Sequence, residues 1–173
     1  MQHAQVPLLG FAAFSGTGKT TLLAQIIPLL KQHGLLIGLI KHSHHNFQID
    51  QPGKDSFRLR EAGASPVMLI SSHRRAIITE ISEREPCLDE ELQLFDQSEV
   101  DLILVEGFKT ESFPKIELHR PSLKTPLLYP NDPNVIAIAT DSVMKIPDTL
   151  MLLDLNQPEM IAGFILKQFM GRL

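Results

Sequence analysis

The segment VPLLGFAAFSGTGKTT, residues 6–21, decides the fold of this chain. Its first half, Val6 to Ala13, is an apolar run of the kind found in strands that are buried on both faces of a parallel sheet. Its second half is rich in small residues and leads into a helical pattern from about Gly18 to His33, which Gly34 should end. A buried strand, a loop of small residues and a helix in this order predict a phosphate-binding P-loop.

The loop Ser15-Gly16-Thr17-Gly18-Lys19-Thr20-Thr21 has the residues needed to hold the triphosphate of a purine nucleotide together with Mg²⁺. In the pattern G-x-x-x-x-G-K-[ST], small residues let consecutive N–H groups surround phosphate oxygens at the positive end of a helix. Lys19 would bridge the β- and γ-phosphates, Thr20 would ligate Mg²⁺ and Thr21 would bind the α-phosphate. Ala13 replaces the first glycine of the pattern, which requires a negative φ there. A turn that binds no phosphate is the weaker alternative.

A second motif, VDLILVEGFK at residues 100–109, offers a carboxylate for the Mg²⁺ site. Residues 100–105 predict another buried strand. The motif carries two acidic residues, Asp101 within this strand and Glu106 directly after it. Five strand residues separate the two carboxylates by about 16 Å, so only one of the two can reach the metal. Open α/β sheets bind ligands at the carboxyl ends of their strands, which selects Glu106 and leaves Asp101 at the far end. A helix-capping or solvated glutamate is the alternative.

The loop after the next predicted strand, Leu35 to Lys41, carries the segment KHSHH at residues 41–45 and then Asp50. Asp50 could position Mg²⁺ or a water and act as a catalytic residue together with Lys19. Lys41 and the imidazoles could hold an anionic second ligand. A transition-metal site on the three histidines and a solvated loop are the alternatives.

Two further groups of polar residues each have two interpretations. Arg58, Arg60, Arg74 and Arg75 could grip phosphates, but Arg58 and Arg60 point in different directions on a helix, which favours surface charge. Asp141 follows a predicted strand and could accept hydrogen bonds from guanine, or it could simply form a turn; no N-K-x-D motif is present. No glutamine or arginine stands near the motifs to assist phosphoryl transfer, which predicts weak catalysis unless a partner supplies such groups.

Composition sets the broad class of the protein. The chain has 173 residues, of which 43% are hydrophobic and 21% are charged, and this predicts one domain over residues 1–173. A net charge of −4 argues against a general nucleic-acid binder. The sequence has no apolar run of membrane-spanning length and no basic region typical of a signal peptide, so we expect a cytoplasmic protein. Cys87 is the only cysteine, which excludes an intrachain disulfide.

The remaining elements alternate between strands and helices. The predicted strands are Pro66–Ser71, Ala76–Ile81, Val135–Ala139, Leu150–Leu155 and, because its polarity alternates, Lys115–His119 as an edge strand. The predicted helices are 54–62, 88–96 and a terminal helix capped by Asn156, and Pro28 should kink the first helix or open a hydrogen-bond gap in it. This order predicts an α/β P-loop NTPase fold, with a mostly parallel sheet, helices on both faces and a small β extension at 66–81.

Taken together, these motifs resemble those of the MobB family, the molybdopterin-guanine dinucleotide biosynthesis adapter proteins. The resemblance rests on FSGTGKTTL (14–22), LIKHSHH (39–45), the stretch from Asp50 to Ser56 and DLILVEGFK (101–109), and it covers nearly the whole chain. The P-loop alone occurs in many families, whereas KHSHH combined with VEGFK is specific.

The resemblance implies a fold shared with metallocenter-assembly GTPases, a homodimer, GTP and Mg²⁺ as ligands, and slow GTP hydrolysis. It also implies association with the guanylyltransferase that attaches GMP to molybdopterin; molybdopterin and the apoproteins of molybdoenzymes are further candidate partners, and nucleic acid and membranes are not. Carried over to this sequence, the nucleotide loop falls on Ser15 to Thr21 and the acidic Mg²⁺ residue on Glu106.

Two other functions share parts of this pattern. A P-loop small-molecule kinase also pairs such a loop with a strand that ends in Glu-Gly, but it should carry an arginine-rich lid, and the arginines here are scattered. A nickel-type metallochaperone GTPase would use the histidines, but the sequence has no histidine-rich tail and no cysteine pair.

Overall fold

A computed structural model describes residues 1–43, 47–81 and 84–172 of the chain. These residues fall into two compact units, one formed by Met1–His42 with Cys87–Leu173 and the other by Ser43–Pro86. That the whole chain forms one domain stays a prediction. No helix in the described ranges is both long enough and apolar enough to cross a bilayer.

The described residues form strands and helices in the predicted alternation. The strands are β1 (Leu8–Ala13), β2 (Ile37–Lys41), β3 (Val67–Ile70), β4 (Arg75–Ile78), β5 (Leu102–Glu106), β6 (Lys115–His119), β7 (Val135–Thr140) and β8 (Met151–Asp154). The α-helices are α1 (Lys19–Gln32), α2 (Asp55–Glu61), α3 (Leu88–Leu94) and α4 (Pro158–Phe164). In the larger unit six strands form a parallel sheet in the order β2-β5-β1-β6-β7-β8.

Both faces of this sheet are buried, because successive side chains of a strand point to opposite faces and β1 and residues 102–105 of β5 are apolar throughout. One face belongs to a core cluster with α1 and α4 and carries Leu9, Phe11, Leu102 and Leu104. The other face belongs to a second cluster with α3 and carries Leu8, Ile103 and Val105. Helices therefore pack on both faces, and the predicted fold class is confirmed.

Strand β6 corrects one prediction. The alternating polarity of Lys115–His119 predicts an edge strand, but β6 lies between β1 and β7, and all of its residues are buried. The physical reason is that its charged side chains, Lys115 and Glu117, have partners inside the protein. The carboxylate of Glu117 accepts hydrogen bonds from the backbone amides of Leu128 and Tyr129 at 2.7 and 2.8 Å.

The start of the terminal helix is a second correction. Its N-cap is Gln157 and not Asn156, because the carboxylate of Asp154 accepts hydrogen bonds from the Asn156 amide and the Gln157 side chain and so holds Asn156 in the preceding turn. Pro158 is the first helical residue, as expected. In α1 the helix continues through Pro28, whose missing N–H leaves a gap in the hydrogen-bond ladder.

The smaller unit contains α2 and an antiparallel ribbon of β3 and β4, in which Val67 pairs with Ile78 and Ile70 with Arg75. The ribbon forms a sheet of its own. The predicted small β extension is therefore present, and its second strand begins at Arg75, one residue before the predicted start at Ala76.

The buried ammonium of Lys115 makes β6 depend on one ion pair. Its Nζ donates to the Glu111 carbonyl at 2.6 Å and to Asp132 at 3.0 Å, and 2% of its side chain is exposed. Partial burial raises the pKa of Asp132, but hydrogen bonds from Lys115 and Asn134 outweigh it, so this pKa lies below its ordinary value of 3.8.

Replacing Asp132 by asparagine should lower the free energy of unfolding by about 3 kcal/mol at pH 7, because it leaves a buried ammonium without its carboxylate. Since the folded-state pKa of Asp132 is depressed, its stabilisation is present above pH of about 4 and is lost as the pH falls through the folded-state value. The difference between wild type and variant should therefore shrink below about pH 4.

Urea unfolding at neutral and acidic pH measures this difference. Asp148→Asn is the matched control, because Asp148 is exposed and should change stability little at any pH. A loss for Asp132→Asn that is equal at both pH values would contradict the ion pair.

Candidate nucleotide-binding site

The backbone of the loop between β1 and α1 is shaped by two glycines. Gly16 and Gly18 have φ of +81° and +96°, values that glycine adopts without strain. Thr17 between them is buried, and its hydroxyl donates to the Phe14 carbonyl at 2.7 Å. Ala13 is not among the described non-glycine residues with positive φ, so its β-carbon is accommodated as expected.

The amides of this loop are available to an anion. The first backbone bond of α1 runs from the Leu22 amide to the Gly18 carbonyl at 2.9 Å. Within the described part of the chain, none of the backbone amides of Ser15, Gly16, Gly18, Lys19, Thr20 and Thr21 has an acceptor. They lie in the loop and the first turn at the positive end of α1, where a helix favours the binding of phosphate groups.

Glu106 lies where the sequence predicts an acidic residue, at the carboxyl end of β5. The register pairs it with Phe11 of β1 and with Lys41 of β2. Its two carboxylate oxygens each lie 3.4 Å from an ammonium, one from Lys19 and one from Lys41. Asp101 lies at the opposite end of the strand, where it accepts from the Leu36 amide at 2.8 Å.

The region around Glu106 carries surplus positive charge. Lys109 is the third lysine there, and its Nζ lies 5.5 Å from the centroid of the Phe14 ring. Burial, and then the charge of Lys19, lower the pKa of the Lys109 amine. One carboxylate faces the ammonium groups of Lys19 and Lys41, and with Lys109 nearby the site has room for further negative charge.

Oxygen ligands for Mg²⁺ are available beside the loop. The side chain of Thr20 is exposed, and within the described residues its hydroxyl has no hydrogen-bond partner. The Glu106 carboxylate is mostly buried, with 13% of the side chain exposed, and among the described residues its partners are the two lysines. A hydroxyl and a carboxylate are hard oxygen donors, which is the chemistry that Mg²⁺ requires.

Gly107 lets β2 and β5 approach each other directly after Glu106. The His42 amide donates to the Glu106 carbonyl at 2.8 Å. Gly107 has φ of +104°, and a β-carbon there would lie 2.7 Å from the β-carbon of His42. The His42 ring stacks on Phe108 with ring centroids 4.7 Å apart. These contacts fix the ends of both strands beside the loop.

Arg120 is a site residue that the sequence analysis missed. It follows β6, its Nε donates to the carbonyl of Thr17 at 2.9 Å, and its Nη1 lies 2.6 Å from Asp141. The expectation that no arginine stands near the motifs is therefore wrong, because the fold brings Arg120 beside the phosphate loop. Arg120 is 103 residues from Thr17 in the sequence, and only the parallel order of β1 and β6 brings them together.

A cavity of about 380 Å³ opens beside the loop, on the side of Arg120. Its walls come from the loop, α1, the end of β6 and the turn after β8, and they are formed by Gly16, Thr17, Gly18, Thr21, Leu22, Gln25, Arg120, Leu155 and Asn156. This volume is within the range of small-molecule sites.

Asp50 and Arg60 belong to the smaller unit and pair with each other there. Arg60 lies 3.4 Å from Asp50 and 2.7 Å from Glu80, and its guanidinium lies over the Phe57 ring. Arg60 is thus engaged inside its own unit, and whether the four arginines grip phosphates or form surface charge stays a prediction. The catalytic role of Asp50 stays a prediction.

The histidine segment is only partly described. His42 belongs to the larger unit, whereas His44 and His45 lie outside the described residues, so the anion and transition-metal interpretations of the three histidines stay predictions. Among the described residues, no group of three or more histidine, cysteine, aspartate or glutamate side chains has the geometry to hold a metal ion.

Comparisons with known proteins place the chain among relatives of one family. Residues 8–141 match the family model described as molybdopterin guanine dinucleotide synthesis protein B. The chain is 49% identical over 162 residues to the molybdopterin-guanine dinucleotide biosynthesis adapter protein of Haemophilus influenzae, covering 93% of this chain and 88% of that one. It is 45% identical over 169 residues to the protein of the same name from Escherichia coli, covering 94% and 93%.

Solved structures agree as well. The crystal structure of Bacillus subtilis MobB superposes with a TM-score of 0.73 at 26% identity, covering 94% of this chain and 97% of that one. The structure of a molybdopterin-guanine biosynthesis protein B superposes with a TM-score of 0.72 at 25% identity, covering 93% and 99%.

Gly107→Ala should lower the free energy of unfolding by at least about 2 kcal/mol. Alanine is strained at the positive φ of this position, and its methyl group would collide with His42. Gly34→Ala is the control: Gly34 has φ of +81°, but nothing lies within 4 Å of the added methyl. The control should cost about 1 kcal/mol. Urea unfolding measures both, and equal losses would contradict the close approach of the two strands.

Proposed function

This chain belongs to the molybdopterin guanine dinucleotide synthesis protein B family, and we propose that it is an adapter that binds GTP with Mg²⁺ and assists the attachment of GMP to molybdopterin. The observation that carries the proposal is the set of unpaired loop amides beside Lys19 and Glu106. The steps below follow from these residues.

The loop binds the triphosphate. The loop amides from Ser15 to Thr21, apart from that of Thr17, donate to phosphate oxygens, and Lys19 leaves Glu106 to bridge the β- and γ-phosphates. The exchange is favourable because a triphosphate offers this ammonium more negative charge than one carboxylate does. Thr21 binds the α-phosphate and directs the nucleoside toward the cavity that it lines.

Thr20 and Glu106 would hold Mg²⁺, directly or through water. When bound, the ion neutralises charge on the β- and γ-phosphates. The release of Lys19 from Glu106 leaves Lys41 as the remaining partner of that carboxylate. Glu106 is then able to turn one oxygen to the ion and keep the other with Lys41.

Hydrolysis by this chain alone should be slow. Arg120 is the arginine beside the loop in the larger unit, and its Nε and Nη1 already bond to Thr17 and Asp141. A group that neutralises the transferred phosphate is therefore not available from it, and a partner would have to supply one. Lys19 and Asp50 stay the proposed catalytic residues, with Asp50 positioning Mg²⁺ or a water.

The partners follow from the family. The H. influenzae and E. coli relatives are named as adapter proteins of molybdopterin-guanine dinucleotide biosynthesis. We infer that this chain acts in the cytoplasm as a homodimer and associates with the guanylyltransferase. Molybdopterin and the apoproteins of molybdoenzymes are further proposed partners.

Lys19→Ala should weaken the affinity for GTP in the presence of Mg²⁺ by about 100-fold, because it removes a charge-assisted contact to the phosphates. Lys31→Ala is the matched control, since Lys31 lies in the last turn of the same helix and is exposed. Isothermal titration measures the affinities, and circular dichroism tests the fold. A folded Lys19→Ala variant with unchanged GTP affinity would mean that the nucleotide binds elsewhere.

In an assay with the guanylyltransferase, molybdopterin, GTP and Mg²⁺, this chain should increase the rate at which GMP is attached to molybdopterin. Lys19→Ala should lose this effect, because it removes a proposed phosphate contact. Lys31→Ala should keep the effect, because Lys31 is not proposed to contact the phosphates. Adding candidate small acceptors with labelled GTP or ATP tests the kinase alternative. Rapid phosphorylation of such an acceptor would contradict the adapter function.

A further inference from the structure

The cavity beside the loop has the position of a nucleoside site. Thr21, the residue proposed to bind the α-phosphate, lines it, whereas Lys19 and Glu106 do not. It therefore extends from the α-phosphate end of the loop, away from the proposed Mg²⁺ site. In a nucleotide the ribose and base follow the α-phosphate, so they would enter this cavity.

Three neighbouring strands each place one polar side chain at this edge. Arg120 follows β6, Asp141 follows β7 and Asn156 lies just after β8. Arg120 and Asn156 line the cavity, and Asp141, which is not itself a lining residue, contacts Arg120 at 2.6 Å. Leu22 and Leu155 supply apolar walls. A few polar groups on apolar walls are typical of a site that orients a flat ligand.

The donors and acceptors in the cavity differ in how well they distinguish purines. Guanine presents two adjacent N–H donors, N1–H and the N2 amino group, whereas adenine presents an unprotonated N1 there. The amides of Gln25 and Asn156 carry a donor and an acceptor each and can turn to suit either base. The guanidinium of Arg120 donates only. An ionised carboxylate accepts only, so it favours guanine and disfavours adenine.

Asp141 is a carboxylate at this edge with one oxygen that has no short contact among the described residues. Its Oδ2 is held by Arg120, and its Oδ1 has one long contact, 3.4 Å from the Ser142 hydroxyl. A carboxylate has about four lone-pair sites, so both oxygens can still accept from a base. Asp154, at the end of β8, instead accepts from Asn156 and Gln157 at 2.8 Å each.

We propose that Asp141 determines the specificity of this site for guanine, by accepting hydrogen bonds from N1–H and N2–H of the base. Arg120 is a positioning residue, because it ties Asp141 to the carbonyl of Thr17 and so fixes the carboxylate relative to the phosphate loop. This inference rests on the proposed function and adds the group that selects the base.

The experiment is a change of base preference. Xanthine has a carbonyl at the position of the guanine amino group. Asp141→Asn keeps an acceptor for N1–H and adds a donor for that carbonyl, so it should weaken GTP binding by roughly 10- to 100-fold and strengthen XTP binding by a similar factor. Asp148→Asn is the control, since it removes the same charge from an exposed position in the connection between β7 and β8.

Equilibrium binding of GTP, XTP and ATP with Mg²⁺ is measured for wild type, both variants and Arg120→Lys. The wild type should prefer GTP to ATP, the control should keep this preference, and Arg120→Lys should narrow it, because lysine cannot bond to Thr17 and Asp141 in the same geometry. A gain in XTP affinity cannot result from misfolding.

The possible failures are distinguishable. A wild type that binds GTP, together with an Asp141→Asn variant whose preference for GTP over XTP is unchanged, would overturn this inference and leave the proposed function intact. Equal affinity of the wild type for GTP and ATP would also overturn it. A wild type that binds no triphosphate would overturn the proposed function and this inference with it.

Discussion

The carboxylate of Glu106 between the ammonium groups of Lys19 and Lys41 is the interaction on which the rest of the site depends. It exists because β5 lies between β2 and β1 in parallel register, so that the carboxyl ends of the three strands meet at one edge. A sheet that is apolar on both faces can present polar chemistry only at this edge. The parallel arrangement of β2, β5 and β1 thus determines both the fold of this region and the place of the site.

Strand β6 is the exception to an apolar sheet, and it explains where sequence reasoning was wrong. Polarity alternates along Lys115–His119, which predicts one face in water. The structure instead buries these side chains and satisfies the two charged ones from segments that follow the strand: Asp132 pairs with Lys115, and the amides of Leu128 and Tyr129 bond to Glu117. The local sequence pattern does not show that a charged residue has a partner elsewhere in the chain. The edge-strand prediction was therefore wrong because these long-range pairs could not be predicted.

The parts that sequence could predict are those with local signals. The P-loop, the helix end at Gly34 and the choice of Glu106 over Asp101 each depend on neighbours in the chain or on the direction of one strand. Arg120 had no such signal, because its contact with Thr17 depends on β6 pairing with β1. The meaning of Asp141 was open for the same reason: a turn former and a base-reading carboxylate look alike until the neighbour is known.

Arg120 links the two halves of the site physically. It contacts the loop that would hold phosphates through Thr17, and the edge that would hold the base through Asp141. Lys19 and Lys41 hold Glu106 in a similar way at the other end of the site. Lys19, Glu106, Arg120 and Asp141 therefore each already have a partner of opposite charge within the protein. For the mostly buried Lys19 and Glu106, such pairing keeps the groups in place without ligand, because a buried charge left alone would cost more than the pair. Binding then exchanges one partner for another instead of creating order, which reduces the cost of binding.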